Sequence, residues 1–343
     1  MGNTKFISTL GALEGGRRLM VKYEMQNIIP FNDVYYVDCL HLSFFTVVKH
    51  FSGSIFSFIA NDYFVYNLEQ TVNGLSLKLE KQQVLSIIEM AEYNGITVES
   101  RYDYGNDIIG NITDALLSGS IVVIPVDSYY YRHPYHNLFY LTEHHRQTMI
   151  VFGFDSERKV FKIVDVNGFE WNTKNFCYKH EISFQDMVKC HEGSITFDQN
   201  APTLIKVSKD NTNKVLSDDP RFYKGTMVTN MKLHKNDILK GLQNIRIFSE
   251  NIEQFDIDKS TVFTNKVTSS GNQYKMKSIL DNEYTYDPLM ESIIDSWIII
   301  ENLIYKNEFK GRSERKKFTS QLNQLYDLES MLYERLFQLF DTV

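Results

Sequence analysis

The sequence predicts an α+β domain over residues 1–210 followed by a helical domain over residues 220–343. Two observations carry this division. Through residue 210, apolar runs of strand length alternate with segments of helical period, whereas beyond it the periodicity is almost purely helical. Between the two, Ser208–Pro220 (SKDNTNKVLSDDP) is polar and poor in large apolar side chains, as a linker is. A chain of 343 residues with a hydrophobic fraction of 43% has material for two cores.

Each element follows from its own pattern. Leu40, Phe44, Val47, Val48 and Phe51 fall at helical spacing, with Asp38 placed to cap the start, Lys49 and His50 in the last turn and Gly53 just past the end. Cys39 is therefore the first residue of a helix. Gln82–Asn94 and Ile108–Leu117 read as two more helices, and Ile121–Val126 (IVVIPV) as a strand buried on both faces. Thr148–Phe154 and Val160–Val166 are strands joined by Asp155-Ser156-Glu157-Arg158, a link of hairpin length. Ser183 and Asp186 have capping-box spacing and open a helix over Phe184–Cys190; Thr203–Val207 is the last strand. In the helical domain, Ile238, Leu242, Ile245, Phe248, Ile252 and Phe255 step by three and four. So do Phe318, Leu322, Leu325, Leu332, Leu336 and Leu339, interrupted by the polar Glu329, and Leu289–Tyr305 is apolar enough for a central helix of a bundle. These stripes either pack on one another, the favoured reading, or offer a docking face for a carrier protein or a second copy in a homodimer.

Composition narrows the function. A net charge of −7 disfavours nucleic acid, which demands a basic face; the one basic run, Lys310–Lys317, reads first as a solvated helix start. No apolar run is long enough for a membrane span. The N-terminus has neither a signal-peptide core nor, with Phe6 at the sixth position, a myristoylation pattern. Cys39, Cys177 and Cys190 show no zinc spacing and are odd in number, so no disulfide framework or metal site is expected, and the expected location is cytoplasmic.

Cys39 is the residue whose position suggests chemistry. The free N–H groups and positive dipole end of a helix N-terminus stabilise a thiolate, and can also hold the oxyanion formed when it attacks a carbonyl. The plain alternative is a small apolar residue on a buried helix. The loop Asp127–Tyr135 (DSYYYRHPY), rich in tyrosine and carrying His133, reads equally as a pocket wall or as an aromatic plug over the sheet.

Asp38-Cys39 opening an apolar helix, then Val123–Tyr130 (VIPVDSYY), then Thr148–Asp155 (TMIVFGFD) and Ile163-Val164-Asp165, resembles the butirosin biosynthesis H-type family over roughly residues 30–210. These are acyltransferases of papain-like fold related to the C39 peptidases. The resemblance implies a papain-like α+β domain with a C-terminal helical bundle. It also implies a Cys-His-Asp triad that moves an acyl group from a carrier-protein thioester to an amine in natural-product biosynthesis. Cys39 is then the nucleophile and Asp165 the carboxylate that orients the histidine. The family's histidine stands six residues before the glycine of the turn, where this sequence has Gln147; strand alternation selects His145 nearby, with His144 as the alternative. No cofactor is bound directly; the partners implied are an acyl or peptidyl carrier protein with its phosphopantetheine arm and an amine acceptor. Two rivals stand beside this reading. One is a thiol peptidase. The other, favoured by Gln147, is a non-catalytic relative that binds a carrier or a peptide.

Overall fold

The computed structural model describes residues 22–34, 36, 38–71, 74–102, 107–133, 139–166, 176–197, 202–210, 216–251, 259–280, 287–310 and 315–341. In chain order the elements begin with β1 (Lys22–Glu24), α1 (Cys39–His50), α2 (Ile55–Asn61), β2 (Asp62–Thr71), β3 (Gly74–Gln83), α3 (Ile87–Tyr93) and β4 (Ile96–Arg101). They continue with α4 (Ile108–Leu117), β5 (Ile121–Asp127), β6 (Arg146–Asp155), β7 (Val160–Val166), β8 (Cys177–Ser183), α5 (Phe184–Ile195) and β9 (Leu204–Lys209). The helices α6 (Lys224–Leu233), α7 (Lys235–Glu250), α8 (Lys259–Leu280), α9 (Asp287–Lys310) and α10 (Arg315–Asp341) complete the chain. The architecture is mixed α+β, an antiparallel sheet with helices at the C-terminal end, and no helix of the described residues is long and apolar enough to cross a membrane.

Two compact units form. Unit 1 comprises residues 1–55 and 87–216, and unit 2 comprises residues 56–86 and 217–343. The break between residues 216 and 217 falls inside the polar linker. Residues 56–86, however, leave the N-terminal domain and join the C-terminal helices, a division different from the expected 1–210 and 220–343.

Unit 1 is built on a seven-stranded sheet in the order β4-β9-β5-β6-β7-β8, with β1 added antiparallel to the end of β6. Every residue of β5 is buried, as its continuous apolar run requires. It also contains Pro125, unusual in a central strand. The ladder explains this: β9 pairs only with Ile121–Val123, so Pro125 lies past the end of β9 and its missing N–H leaves no gap there. The Phe-Gly-Phe-Asp turn is structural. A Cβ on Gly153 would sit 2.7 Å from the Tyr23 carbonyl oxygen, so only glycine lets β1 lie against β6. Asp155 then accepts from the backbone N–H groups of Glu157 and Arg158, each at 3.1 Å, and closes the β6–β7 hairpin.

Unit 2 wraps helices around the β2–β3 ribbon. A two-stranded ribbon leaves backbone groups unpaired along both edges, and two asparagines meet them. Asn244 of α7 donates to the Tyr66 carbonyl (2.8 Å); Asn265 of α8 donates to the Leu77 carbonyl (2.8 Å) and accepts from Leu79 N–H (2.7 Å). Gly241 lets α7 approach, since a Cβ there would lie 2.8 Å from the Tyr66 nitrogen. The expected helix over Gln82–Asn94 is α3 alone; Gln82 and Gln83 end β3. The C-terminal stripes lie in α7, α9 and α10, with α8 as a further long helix; Ile252 and Phe255 lie outside the described residues.

Glu329, the polar break in the α10 stripe, is buried and accepts from the Tyr66 hydroxyl at 2.5 Å. Burial pushes its carboxyl up to about 7, against an ordinary 4.5. Because the folded value is the higher one, the protonated form is favoured by folding. Its contribution is full below about pH 4.5 and is lost as pH rises through about 7, a change of roughly 3 kcal/mol. Lys275, whose ammonium burial lowers to about 8, acts in a separate window above that value. The stability difference between Glu329→Gln and wild type, from denaturant melts, is expected to shift in favour of the variant between pH 5 and pH 8. A pH-independent difference would refute the assignment.

Candidate functional site

Asp38 begins the local structure around the thiol. Its extended backbone ends the preceding loop, and its carboxylate caps α1 by accepting from His41 N–H at 2.9 Å. The same carboxylate contacts the His41 ring at Nδ1, 2.8 Å away. The sequence reading used Asp38 only as a cap and passed over His41; its spacing, two residues after the cysteine and three after the cap, is the signal that would have found it. One N–H group at this helix end, that of His41, is thus already answered by an anion from the chain itself.

Cys39 is the first residue of α1 and partly exposed, while the other two free cysteines, Cys177 and Cys190, are buried. Burial of the sulfur, then the negative charge of Asp38, push the Cys39 thiol up to about 11; hydrogen bonds from the side chain and backbone of Thr148 on β6 act the other way but do not offset them. The resting thiol is protonated near neutral pH. Burial also raises the Cys177 and Cys190 thiols, further than that of Cys39.

The sheet register decides what Cys39 faces. Val151 pairs with Ile163 and Gly153 with Lys162, so Phe152 is an extra residue on β6. Without the bulge, Gly153 and Gln147, six residues apart, would share a face; with it, Gly153 shares a face with Ile150 and hence with Thr148. Gln147 points to the other face, where its Oε1 accepts from the Ser128 hydroxyl and its Nε2 donates to the Val166 carbonyl at 2.7 Å. Thr148 stands against the sulfur.

The other predicted residues gather elsewhere. His145 stacks on Phe139, centroids 4.3 Å apart, and burial lowers its pKa. Its backbone N–H donates to Asp127 Oδ1 at 3.2 Å. His144, more exposed, meets Asp127 Oδ2 at 2.6 Å and stacks on Tyr129. Both histidines therefore serve the buried Asp127, which organises the aromatic loop. Asp165 alternates with Val164 and so lies on the face of β7 opposite to Ile150 and Thr148. It pairs across the ladder with Tyr178, and His180 follows on the same face. Among the described residues no hydrogen bond links Cys39, His145 and Asp165. Asn32 accepts from Phe176 and Cys177 N–H and donates to the Cys177 carbonyl, holding the start of β8.

What Asp165 does meet are His133, 3.3 Å away, and His180, 3.9 Å away. Tyr131 is buried and hydrogen-bonded to His180, so this half of the aromatic loop plugs the sheet; Tyr135 lies outside the described residues. His180 was missed because a lone histidine in a short strand carries no spacing signal until its partner strand is known.

Alkylation with iodoacetamide should modify Cys39 alone in the folded protein. Its rate should climb about tenfold per pH unit between pH 7 and pH 10, following the thiolate fraction. Asp38→Asn keeps a capping side chain but removes the adjacent charge, and should speed alkylation at pH 8. A rate that levels off below pH 8 in wild type would contradict a raised thiol pKa. No protein-family model matches this chain, and no curated protein matches its sequence.

Proposed function

We propose that unit 1 is a papain-like thiol domain that accepts an acyl group on Cys39 from a carrier-protein thioester and passes it to an amine. The observation that carries this reading is Cys39 itself: a partly exposed cysteine at the first position of a buried helix, with its sulfur against the start of β6. In the exchange, Cys39 Sγ bonds to the acyl carbon and the carbon–sulfur bond to the phosphopantetheine arm breaks. The proton of the thiol leaves with the departing thiol, so the step balances without a co-reactant. An amine then displaces Cys39 and forms the amide.

A second reading has its own support. Thr148 contacts the sulfur, among the described residues no hydrogen bond joins Cys39 to His145, and the thiol rests protonated, which favours a domain that binds an acyl carrier or peptide without turnover. The two differ in one mass. Incubation with short-chain and aryl acyl-thioesters followed by intact-mass spectrometry should show a single acyl adduct in wild type and none in Cys39→Ala, with the adduct discharged by added amines. Absence of any adduct across pH 7–9, with carrier protein still retained by the folded chain, would replace transfer by binding.

A further inference from the structure

The face of the sheet away from Cys39 carries a second cluster. His133, Asp165 and His180 present one ligand atom each, and these atoms all lie within 4.8 Å of one another. Asp165 is fully buried and His133 nearly so, at 0% and 4% exposure. The Asp165 carboxylate is held by its own chain: Oδ1 accepts from Val166 N–H at 2.7 Å, which turns Oδ2 toward the two imidazoles without a hydrogen bond of its own. His133 Nε2 is 3.3 Å from that oxygen and His180 Nε2 is 3.9 Å from it. Ligands at roughly 2.1 Å from a tetrahedral ion are themselves separated by about 3.4 Å, so these distances fit with small adjustments.

We propose that His133, Asp165 and His180 bind one divalent transition-metal ion of the zinc class through two imidazole nitrogens and a carboxylate oxygen. Two physical features converge on it. Two neutral imidazoles and one carboxylate are a donor set suited to a borderline ion. A buried carboxylate with an unsatisfied oxygen is costly, and a dication offsets it. Tyr131 hydrogen-bonds His180 Nε2 now; an ion taking that nitrogen breaks this bond and leaves the Tyr131 oxygen at hand as a fourth donor. The site comes from three separate segments, the loop after β5 and the facing strands β7 and β8, which closes a loop of the chain as structural metal sites do. It is independent of acyl transfer, and it engages the Asp165 side chain that the triad would have used.

The test uses the full chain, stripped with a chelator and titrated with Co²⁺ while the visible spectrum is recorded, then with Zn²⁺ in competition. One equivalent should bind to wild type and equally to Cys39→Ala. Affinity should fall at least about tenfold in His180→Gln and in Asp165→Asn, since even partners of ligands cost that much. Unchanged binding in both variants, or no stoichiometric binding to wild type, overturns the site and leaves Asp165 as a buried carboxylate beside two imidazoles. Should both variants lose their far-ultraviolet circular dichroism, the wild-type spectrum decides. Intense bands of a low-coordinate nitrogen and oxygen site support the assignment. The weak bands of the hydrated ion, or a thiolate charge-transfer band, refute it.

Discussion

One extra residue in β6 partitions the chemistry of unit 1. Phe152 has no partner on β7, and from Val151 backward every side chain of β6 is turned to the face opposite to that expected from counting back from Gly153. Thr148 is thereby aimed at Cys39, and Gln147 at Ser128 and the Val166 carbonyl. On β7 and β8, Asp165, Tyr178 and His180 share the face turned from Cys39. The thiol and the carboxylate are close enough to feel each other's charge, yet their hydrogen-bonding partners are different sets of residues. A bulge is a small local event, but side-chain alternation propagates it along the whole strand.

The electrostatics of Cys39 follow from a competition at the start of α1. A helix N-terminus favours an anion, and Asp38 supplies one that is covalently attached and already hydrogen-bonded to His41 N–H. A thiolate next door would be a second negative charge in a partly buried place, so the proton stays on sulfur. Burial of the sulfur is the larger reason its thiol stays neutral, and the same carboxylate that makes the helix begin at Cys39 adds to it. Capping and nucleophile activation use one resource, and here capping has it.

Unit 2 shows the complementary case, polar groups placed where a core would otherwise be apolar. Tyr66 from the ribbon and Glu329 from α10 satisfy one another inside the unit, and Lys275 donates to the Asp62 carbonyl. Such groups are costly without partners, which ties the position of the ribbon to the helices around it. Asn244 and Asn265 do the same for the ribbon's backbone edges. These interactions explain why residues 56–86 belong with helices that follow them by more than a hundred positions.

Local pattern alone determined much of this protein. The start of α1 at Cys39, the extent of α4, the buried strand β5, the β6–β7 hairpin and the Ser183 cap of α5 are all legible, because each depends on neighbours within a turn or an alternation. The long stripe of α10 was legible for the same reason, and even its polar break at Glu329 was visible as an anomaly. What the tertiary structure decided was pairing. Strand β3 does alternate, as Leu75-Ser76-Leu77-Lys78-Leu79-Glu80, but its pairing with β2 and its cover by helices from the far end of the chain are not written in that pattern. The partners of Cys39, Asp165 and the histidines turned on a bulge and on the β7–β8 register, neither of which has a signature in a single strand. His133 and His180 are separated by 47 positions in the chain and meet at Asp165 only once the sheet is assembled. Periodicity is a property of one segment, whereas a site is a property of several, and only packing brings those segments to one place.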